Sequence, residues 1–279
     1  MPPLLVIDGD SLAHRAFHAI PKGIRDGAGR PANMLVGVGG MLLTLWETTR
    51  PRTVLACWDT LTAPTYRSEL LPGYQSGREF APELVEQLDR LPELVSALGF
   101  AVAKGAGYEA DDFLAAAARA EEARGGTALV VTSDRDAYQV VTDAVHVLVP
   151  RKGVTELELV GPAEVRERYG VAPGQVPDFI ALRGDPSDRI PGAAGIGPAK
   201  AAAILREHGT LEAALAAGRF AAEAEALRSF RRIATMQADA PLPALPDVEP
   251  DWAGGTALAA AWGLDRLGRR IDELARRVA

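Results

Sequence analysis

The chain has 279 residues, of which 48% are hydrophobic, so it can bury a sizeable core as one large domain or as a domain with a subdomain. Its formal net charge of −7 argues against indiscriminate nucleic-acid binding, because phosphate contacts normally need an excess of Lys and Arg. The single cysteine, Cys57, excludes an internal disulfide and is interpreted as a small core residue in a reducing cytoplasm. The apolar run before Asp8 is only four residues long, too short for a signal peptide, and nothing approaches a membrane span. We therefore expect a soluble, cytoplasmic protein.

Three apolar runs along the chain each end on an aspartate. Residues 4–7 lead to Asp8, residues 54–58 lead to Asp59, and residues 128–133 lead to Asp134, with Asp136 two residues further on. Continuous apolar runs that alternate with helical stretches are typical of a parallel sheet, in which the carboxyl ends of the strands line the ligand crevice. The pattern predicts that these acids converge at one edge of a sheet.

A second source of acids is the stretch from Gly107 to Asp112, which places Glu109, Asp111 and Asp112 directly ahead of an apolar helix. Taken alone, a solvated helix start with a capping Asp explains this stretch about as well as a functional site does. The turn from Gly184 to Asp188 adds two more acids, and the convergence of all of them favours the site. The candidates are Asp8, Asp59, Glu109, Asp111, Asp112, Asp134, Asp136, Asp185 and Asp188.

So many carboxylates in one cleft require cations to balance their charge. Carboxylate ligands with no His or Cys among them suit hard ions such as Mg²⁺ or Mn²⁺ rather than zinc. His14 and His18 stand one helical turn apart but have no third nitrogen or sulfur ligand nearby, so they are interpreted as surface or phosphate-side residues. Two ions roughly 3.5 to 4 Å apart are a standard device for phosphodiester hydrolysis.

The motifs and their order resemble the bacterial and phage 5′-nuclease (flap endonuclease) family, which includes the 5′-3′ exonuclease domain of DNA polymerase I. The resemblance runs from about Leu4 to about Leu211, and we expect a stand-alone protein. It depends on Asp8-Gly9, Trp58-Asp59, Gly107-Tyr108-Glu109-Ala110-Asp111-Asp112, Thr132-Ser133-Asp134-Arg135-Asp136 and Gly184-Asp185-Pro186-Ser187-Asp188, followed by Gly195-Ile196-Gly197.

The resemblance implies an α/β fold, a mostly parallel central sheet flanked by helices (a PIN-like 5′-nuclease fold), with a helical DNA-binding subdomain. We expect a metal-dependent nuclease core over residues 1–170, including an arch or clamp at about 60–100. The helical subdomain is expected over residues 171–279, with a helix-hairpin-helix at about 177–208, then a strap and a C-terminal helix.

The resemblance also assigns roles to single residues. A first ion is expected on Asp8, Asp59, Glu109, Asp111 and Asp112, and a second on Asp185 and Asp188 with Asp136, while Asp134 lies between them. Arg78 is expected to stabilise the scissile phosphate. Residues expected to contact DNA are Arg15, Tyr74, Gln75, Gly195, Gly197 and Lys200.

The predicted hairpin centres on Gly195, Gly197 and Pro198. Glycines let backbone N–H groups approach a phosphate at a helix N-terminus, and Pro198 suits a first helical position. Such hairpins contact the backbone rather than the bases, so they position a duplex without reading its sequence. By resemblance, this element also holds a K⁺ ion through main-chain carbonyl oxygens.

Two residues depart from the family pattern. Asp10 stands where an uncharged residue is more common, and with Ser11 it is interpreted as a helix cap rather than a metal ligand. Gln75 stands where the family usually has a lysine, which leaves the tightness of flap clamping open.

The remaining elements are predicted from apolar periodicity and from Gly and Pro positions. We expect helices that begin at Ser11 and after Asp112, a strand at 145–149, an extended strap at 240–250, and helices at 34–46, 82–98, 162–169, 198–208 and 264–278.

The function expected is that of a 5′ flap endonuclease and 5′-3′ exonuclease of DNA replication and repair. The expected partner is DNA with a 5′ flap, a nick or a 5′ end at a duplex junction, or an RNA primer on DNA, bound by a nucleoid-associated monomer that contacts no membrane. Two alternatives stay open. A haloacid dehalogenase-type phosphatase would use Asp8 as a covalent nucleophile, and a non-catalytic junction-binding protein would keep the acids as relics or calcium ligands.

Overall fold

The computed structural model describes residues 1–60, 63–76 and 80–278. Its centre is a six-stranded sheet in the order β3-β2-β1-β4-β5-β6. All neighbouring strands are parallel except β5 and β6, which are antiparallel. The strands are β1 (Leu4–Asp8), β2 (Thr53–Cys57), β3 (Ala101–Ala103), β4 (Ala128–Val131), β5 (Val145–Lys152) and β6 (Glu156–Val160).

The central strand shows why the apolar runs are continuous. Leu5 and Ile7 of β1 belong to one buried core, whereas Leu4 and Val6 belong to another on the opposite face of the sheet. Successive side chains of a strand point to opposite faces, so both faces must be covered for every residue to be apolar. The expected α/β architecture with a mostly parallel sheet is confirmed.

Six helices cover the face of Leu5 and Ile7, since their apolar side chains belong to the same core. They are α1 (Gly9–Ala19), α2 (Asn33–Thr49), α4 (Pro82–Leu88), α5 (Leu91–Ala97), α12 (Trp252–Ala261) and α13 (Asp265–Val278).

The opposite face is covered by α6 (Ala110–Ala123), by a short 3-10 helix (Asp136–Val140) and by α7 (Pro162–Tyr169). Helix α3 (Tyr66–Leu70) lies in the arch segment.

A helical subdomain follows, built from α8, α9, α10 and α11. These helices are α8 (Val176–Arg183), α9 (Pro198–His208), α10 (Leu211–Ala216) and α11 (Ala224–Ala234). They enclose a third core that includes Phe179, Leu205 and Leu227. Ile180 of α8 and Ile233 of α11 pack instead into the second core of the sheet, so the two parts share buried surface. The boundary at residue 170 stays a prediction.

The arch segment differs from expectation in one element. A single helix is predicted over 82–98, but α4 ends at Leu88 and α5 starts at Leu91. Pro92 lies in the first turn of α5, and a proline has no N–H for the hydrogen bond that would continue the preceding helix.

The predicted C-terminal helix is present, but it packs with α12 into the first core of the sheet rather than into the core of the helical subdomain. Residues 241–250 form no helix or strand, and Arg52 holds this stretch by donating from Nη1 to the carbonyl oxygen of Leu245 at 2.7 Å. The predicted helix at 264–278 is α13. No helix in the described residues is long and apolar enough to cross a membrane.

Candidate active site

A cavity of about 440 Å³ opens where β1 and β2 reach the carboxyl edge of the sheet, next to the loop that follows β4. Seven carboxylates line it, contributed by both strand ends, by the start of α6, by the loop after β4 and by the turn after α8. They are Asp8, Asp10, Asp59, Glu109, Asp111, Asp134 and Asp188. Six of these seven, all except Asp10, belong to the nine acids predicted to converge at this edge of the sheet.

Asp8 is fixed at the last residue of β1. Its Oδ1 accepts from the Ser11 N–H at 2.9 Å and its Oδ2 accepts from the Thr132 hydroxyl at 2.6 Å. The next residue must be glycine, since a Cβ at Gly9 would lie 2.6 Å from the ring of Trp58. This close packing of β1 against the end of β2 brings Asp8 and Asp59 to the same cavity.

The helix cap assigned to Asp10 is wrong. Asp8 accepts the capping hydrogen bond of α1, so Asp10 lies in the first helical turn instead. Its Oδ2 accepts from the Asp59 N–H at 2.7 Å, which leaves the side chain in the cavity wall. Asp10 joins the acidic group because α1 begins two residues earlier than a cap at Asp10 would require.

The start of α6 presents Glu109 and Asp111 to the cavity. Glu109 Oε1 accepts from the Thr65 hydroxyl at 2.8 Å, and Oε2 accepts from the Tyr74 hydroxyl at 3.1 Å. Asp59 Oδ1 accepts from the Ala110 N–H at 2.7 Å, which fixes the β2 acid to the same helix start.

Asp112 does not line the cavity. It is fully buried and both its oxygens accept from Arg67, at 2.7 and 2.8 Å. The N–H groups of Glu109 and Gln237 donate to the same carboxylate. Because these four hydrogen bonds occupy the carboxylate, we assign Asp112 a structural role instead of the expected metal-binding role.

Arg67 is the residue that sequence reasoning missed. It is 3% exposed and its guanidinium also lies 3.3 Å from Glu109 Oε2. Burial alone lowers the pKa of Arg67, but the hydrogen bonds and charges of Asp112 and Glu109 raise it above its usual range. A signal was present, because Glu109 and Asp112 stand one helical turn apart and need a cation between them.

The loop after β4 carries Asp134 and Asp136. The Asp134 N–H donates to the Thr132 hydroxyl at 3.0 Å, and Asp134 Oδ1 accepts from the Asp136 N–H at 2.8 Å. Asp136 opens the 3-10 helix and is not among the residues that line the cavity. The charges of Asp134, Asp185 and Asp188 all act on it, so these four acids form a neighbouring group.

The turn after α8 holds Asp185 and Asp188 in different ways. Asp185 Oδ2 accepts from Arg183 at 3.0 Å, and its Oδ1 accepts from the Ser187 N–H at 2.9 Å. Asp188 lines the cavity, and its Oδ1 accepts from the Gln75 amide at 3.1 Å. Gln75 also donates to the Tyr74 hydroxyl at 2.9 Å, so a chain of hydrogen bonds connects Asp188 to Glu109.

Burial and mutual repulsion raise the pKa values of several carboxyl groups in and beside the cavity. Burial raises the pKa of Asp8 to about 7, against the hydrogen bonds from Thr132 and Ser11. Burial and then the charge of Asp59 raise the pKa of Asp10 to about 8. For Asp111 and Asp136, burial and then the charge of Asp134 raise the pKa well above its usual range. Burial also raises the pKa of Glu109, although Arg67 opposes it.

These acids fit divalent cations by the chemistry of their donor atoms. Carboxylate oxygens are the most numerous side-chain ligand atoms in the cavity, which His14 also lines, and repelling, partly buried carboxylates are stabilised by a cation that shares them. Within the described part of the chain, no group of three or more His, Cys, Asp or Glu side chains is arranged to hold a metal ion.

The residues expected to contact DNA fall in three places. Tyr74 and Gln75 lie beside the acids, while Arg78 lies outside the described residues. Arg15 donates from Nη2 to the Ser133 hydroxyl at 2.8 Å and to the carbonyl oxygen of Pro150 at 2.9 Å, which holds it close to the Asp134 loop.

The hairpin between α8 and α9 is formed as expected. A Cβ at Gly192 would lie 2.4 Å from the Gly184 nitrogen, so the two ends of the turn touch through glycines. A Cβ at Gly195 or Gly197 would meet nothing within 4 Å, so this side of the hairpin is open. Lys200 Nζ donates to the Gly195 carbonyl oxygen at 3.0 Å.

Together, the fold and the site define an α/β protein with a carboxylate-lined cleft at the edge of a parallel sheet and a hairpin-bearing helical subdomain. Two family models match the chain: "5'-3' exonuclease, N-terminal resolvase-like domain" over residues 3–170 and "5'-3' exonuclease, C-terminal SAM fold" over residues 171–251. The chain belongs to the 5′-3′ exonuclease family.

Relatives are similar along most of the chain. A 5′-3′ exonuclease of Streptomyces coelicolor is 37% identical over 299 residues, covering 96% of this chain and 98% of that protein. DNA polymerase I of Mycobacterium tuberculosis is 37% identical over 288 residues, covering 99% of this chain. The chain spans only 31% of that polymerase's length.

Solved structures share the fold. T5 5′-exonuclease with bound divalent metal ions (zinc) has a TM-score of 0.70 at 20% identity, with 98% of both chains covered. Flap endonuclease-1 from Methanococcus jannaschii has a TM-score of 0.63 at 17% identity, with 98% of this chain and 91% of that chain covered.

Proposed function

We propose that the protein is a divalent-metal-dependent, structure-specific 5′ nuclease that hydrolyses phosphodiester bonds of DNA. The observation that carries this proposal is the seven-carboxylate cavity at the edge of the sheet in a member of the 5′-3′ exonuclease family. The open face of the hairpin supports it, because backbone N–H groups there can reach a DNA phosphate.

We infer two groups of metal-holding residues. Asp8, Asp10, Asp59, Glu109 and Asp111 would hold one ion. Asp136, Asp185 and Asp188 would hold another, with Asp134 placed between the groups. When bound, Mg²⁺ or Mn²⁺ would activate water for attack on the phosphodiester and stabilise the leaving oxygen.

The protein's own contribution is positional. Arg67 and Tyr74 fix the Glu109 carboxylate, Thr132 fixes Asp8, and Gln75 fixes Asp188. Fixed carboxylate oxygens need little reorganisation when cations bind, so the cations that would stabilise the developing charge are held in a preorganised site.

The proposed substrates are DNA with a 5′ flap, a nick or a 5′ end at a duplex junction, and an RNA primer on DNA. We propose that a monomer acts on them at the nucleoid in the cytoplasm, in replication and repair. A K⁺ ion at the hairpin belongs to the same proposal, and duplex affinity in KCl against LiCl at equal ionic strength tests it.

The experiment that tests the function uses one labelled oligonucleotide in flap, nicked and single-stranded forms, incubated with Mn²⁺ or with EDTA. We expect cutting near the junction of the flap substrate, only with Mn²⁺. A small phosphomonoester is the control for the phosphatase alternative. In that alternative Asp8 would attack phosphorus with a carboxylate oxygen, and both of its oxygens accept hydrogen bonds in this structure. Turnover of the phosphomonoester without DNA cutting would support that alternative, and binding without any cutting would support the non-catalytic one.

A further inference from the structure

A second cavity, of about 480 Å³, lies where α7, α8 and α9 meet the loop after β4. Four arginines line it, and no carboxylate is among its lining residues. The arginines are Arg135, Arg168, Arg183 and Arg206. This arginine cavity has no part in holding the proposed metal ions, so its charge needs a separate explanation.

Two of these arginines are neutralised and fixed by neighbours outside the cavity. Arg168 pairs with Glu158 and donates to the Tyr138 hydroxyl at 2.7 Å. Arg183 pairs with Asp185 at 3.0 Å. Arg135 and Arg206, in contrast, form no ion pair with any residue in the described ranges. The cavity therefore keeps a surplus of about two positive charges.

The cavity has a built floor and a polar end. The Tyr169 and Phe179 rings stack at 5.1 Å, and the Arg183 guanidinium lies 5.4 Å from the Phe179 ring centre. Pro198 and Ala199 bring the N-terminus of α9 to the same wall, where the first N–H groups of the helix have no partner within the helix. Guanidinium groups beside a helix N-terminus are suited to a phosphate group.

The position of the cavity indicates which phosphate group it would bind. Arg135 stands between Asp134 and Asp136 in the chain, and Arg183 pairs with Asp185, so the cavity adjoins the second acidic group. On its other side begins α9, directly after the open glycines of the hairpin. A strand that runs from the acids to the hairpin would pass this point.

We propose that the arginine cavity binds a backbone phosphate of the DNA duplex, at a position remote from the scissile bond. The inference rests on the proposed function in that it takes DNA as the ligand. The surplus charges of Arg135 and Arg206 hold the phosphate, while Arg168 and Arg183 keep the walls in place. The cavity thereby gives a net acidic protein a fixed cationic contact between its catalytic edge and its hairpin.

The test measures binding of a plain blunt duplex by fluorescence anisotropy across a salt series, in EDTA so that no cutting occurs. Arg206→Ala should weaken the Kd about 10-fold and reduce the slope of log K against log salt by about 0.9, the value of one lost phosphate contact. Arg206→Lys should keep the slope with a smaller loss of affinity.

The matched control is Arg119→Ala, which removes the same charge from an exposed position. Arg119 lies eight residues beyond Asp111 on α6, about 12 Å along the helix. Arg119→Ala should leave both the Kd and the slope of log K against log salt unchanged. Equal behaviour of Arg206→Ala and Arg119→Ala would overturn the proposal.

A second measurement locates the contact and separates its alternatives. Replacing single phosphates of the duplex by neutral methylphosphonate should reveal one position that weakens wild-type binding but has no effect on Arg206→Ala. If no such position exists, the proposal is wrong. It is also wrong if inorganic phosphate stabilises only the wild type while the wild type and Arg206→Ala bind duplex equally, because the site then takes a free phosphate. Because binding is measured without metal, a failure of flap cutting would leave this result intact and reject only the nuclease function.

Discussion

At the level of single residues, the Arg67–Asp112 pair shows how a carboxylate inside an acidic motif can serve the fold. Asp112 belongs to the same four-residue stretch as Glu109 and Asp111, but the helical turn directs it into the protein rather than into the cavity. Its bidentate contact with Arg67 then neutralises a buried cation that also fixes Glu109. Spacing alone does not tell the structural acid from its neighbours.

We predict that Asp112→Ala lowers the free energy of unfolding by about 3 to 5 kcal/mol, because it removes the bidentate partner of the buried Arg67 guanidinium and leaves it only the longer contact with Glu109. Urea denaturation of the metal-free protein measures this loss. The control is Arg228→Ala, which removes an exposed pair with Glu212 and should leave stability almost unchanged. If Asp112→Ala unfolds like the wild type and loses only cutting, Asp112 is a metal ligand after all.

A second prediction at this scale concerns the two polar residues of the arch. On the proposal, implied by the family resemblance, that Arg78 stabilises the scissile phosphate, Arg78→Ala should lower the single-turnover rate far more than Gln75→Ala, because such a cation is worth around 3 kcal/mol and an amide brings no charge. Gln75 donates to Asp188 and Tyr74, so Gln75→Lys keeps a donor for both and should be tolerated or mildly activating. A severe loss in Gln75→Ala beside a mild one in Arg78→Ala would reverse the assignment.

At the level of elements, the hairpin depends on two kinds of glycine. Gly184 and Gly192 have positive φ angles of 78° and 74° and touch each other, so they allow the turn to close. Gly197 has a φ of −93° and open space in front of it, and it is the N-cap residue of α9, a position that favours glycine over alanine. The open space also leaves room for the proposed contact with a phosphate.

These glycines give a matched pair of variants. Gly192→Ala should lower Tm by several degrees, since positive φ costs a side chain about 1 to 2 kcal/mol and the new Cβ would meet the Gly184 backbone. Gly197→Ala should lower Tm less than Gly192→Ala, since it only replaces a favourable N-cap residue, but it should weaken duplex binding, because its methyl group would stand between the helix N-terminus and a phosphate. Melting curves and duplex anisotropy separate the two effects. Equal duplex binding by Gly197→Ala and wild type would argue against contact at the hairpin.

The carboxyl edge of the sheet makes a prediction about pH. The folded-state pKa values of Asp8 and Asp10 are raised from 3.8 to about 7 and about 8. Between pH 3.8 and these raised values, the folded protein therefore binds protons that the unfolded chain does not. The stability that protonation provides is therefore present at low pH and lost as pH rises from about 4 to about 8. Melting of the metal-free protein should show Tm falling between about pH 5 and pH 8.

Divalent metal should reverse this trend, because ions bind the ionised carboxylates. Mn²⁺ at about 100 times its Kd adds roughly 2.7 kcal/mol by mass action, and the gain should be greater at pH 8 than at pH 5. Asp10→Asn keeps an acceptor for the Asp59 N–H, removes one repelling charge, and should flatten the metal-free profile. A metal-free Tm that stays level or rises over this range, or that Mn²⁺ does not change, would contradict the crowded cavity.

At the scale of the whole molecule, the sheet and most of the acids could be predicted because each depends on local pattern. Buried parallel strands need continuous apolar runs, and the topology brings their ends together whatever lies between them. Asp10 was misassigned because capping preference alone cannot locate the first residue of a helix to within two positions. Arg67 and the arginine cavity depend on contacts between segments far apart in the chain, which no local pattern records.

The charge distribution explains how a protein of net charge −7 can act on DNA. Seven of the 37 acidic residues line one cavity, where bound cations would neutralise them, and the arginine cavity adjoins the second acidic group. The formal net charge is therefore a poor guide to how strongly the metal-bound protein attracts the phosphates of DNA.

The central claim, that the acidic cavity cuts DNA with bound metal, is tested most directly by the single-turnover cleavage rate of one labelled 5′-flap substrate. We predict rapid cutting by the wild type in Mn²⁺, none in EDTA, and a loss of at least about 100-fold in Asp111→Asn, which removes one charge at the cavity while duplex affinity stays within about twofold. Cutting that persists in EDTA, or that Asp111→Asn leaves at the wild-type rate, would contradict the account.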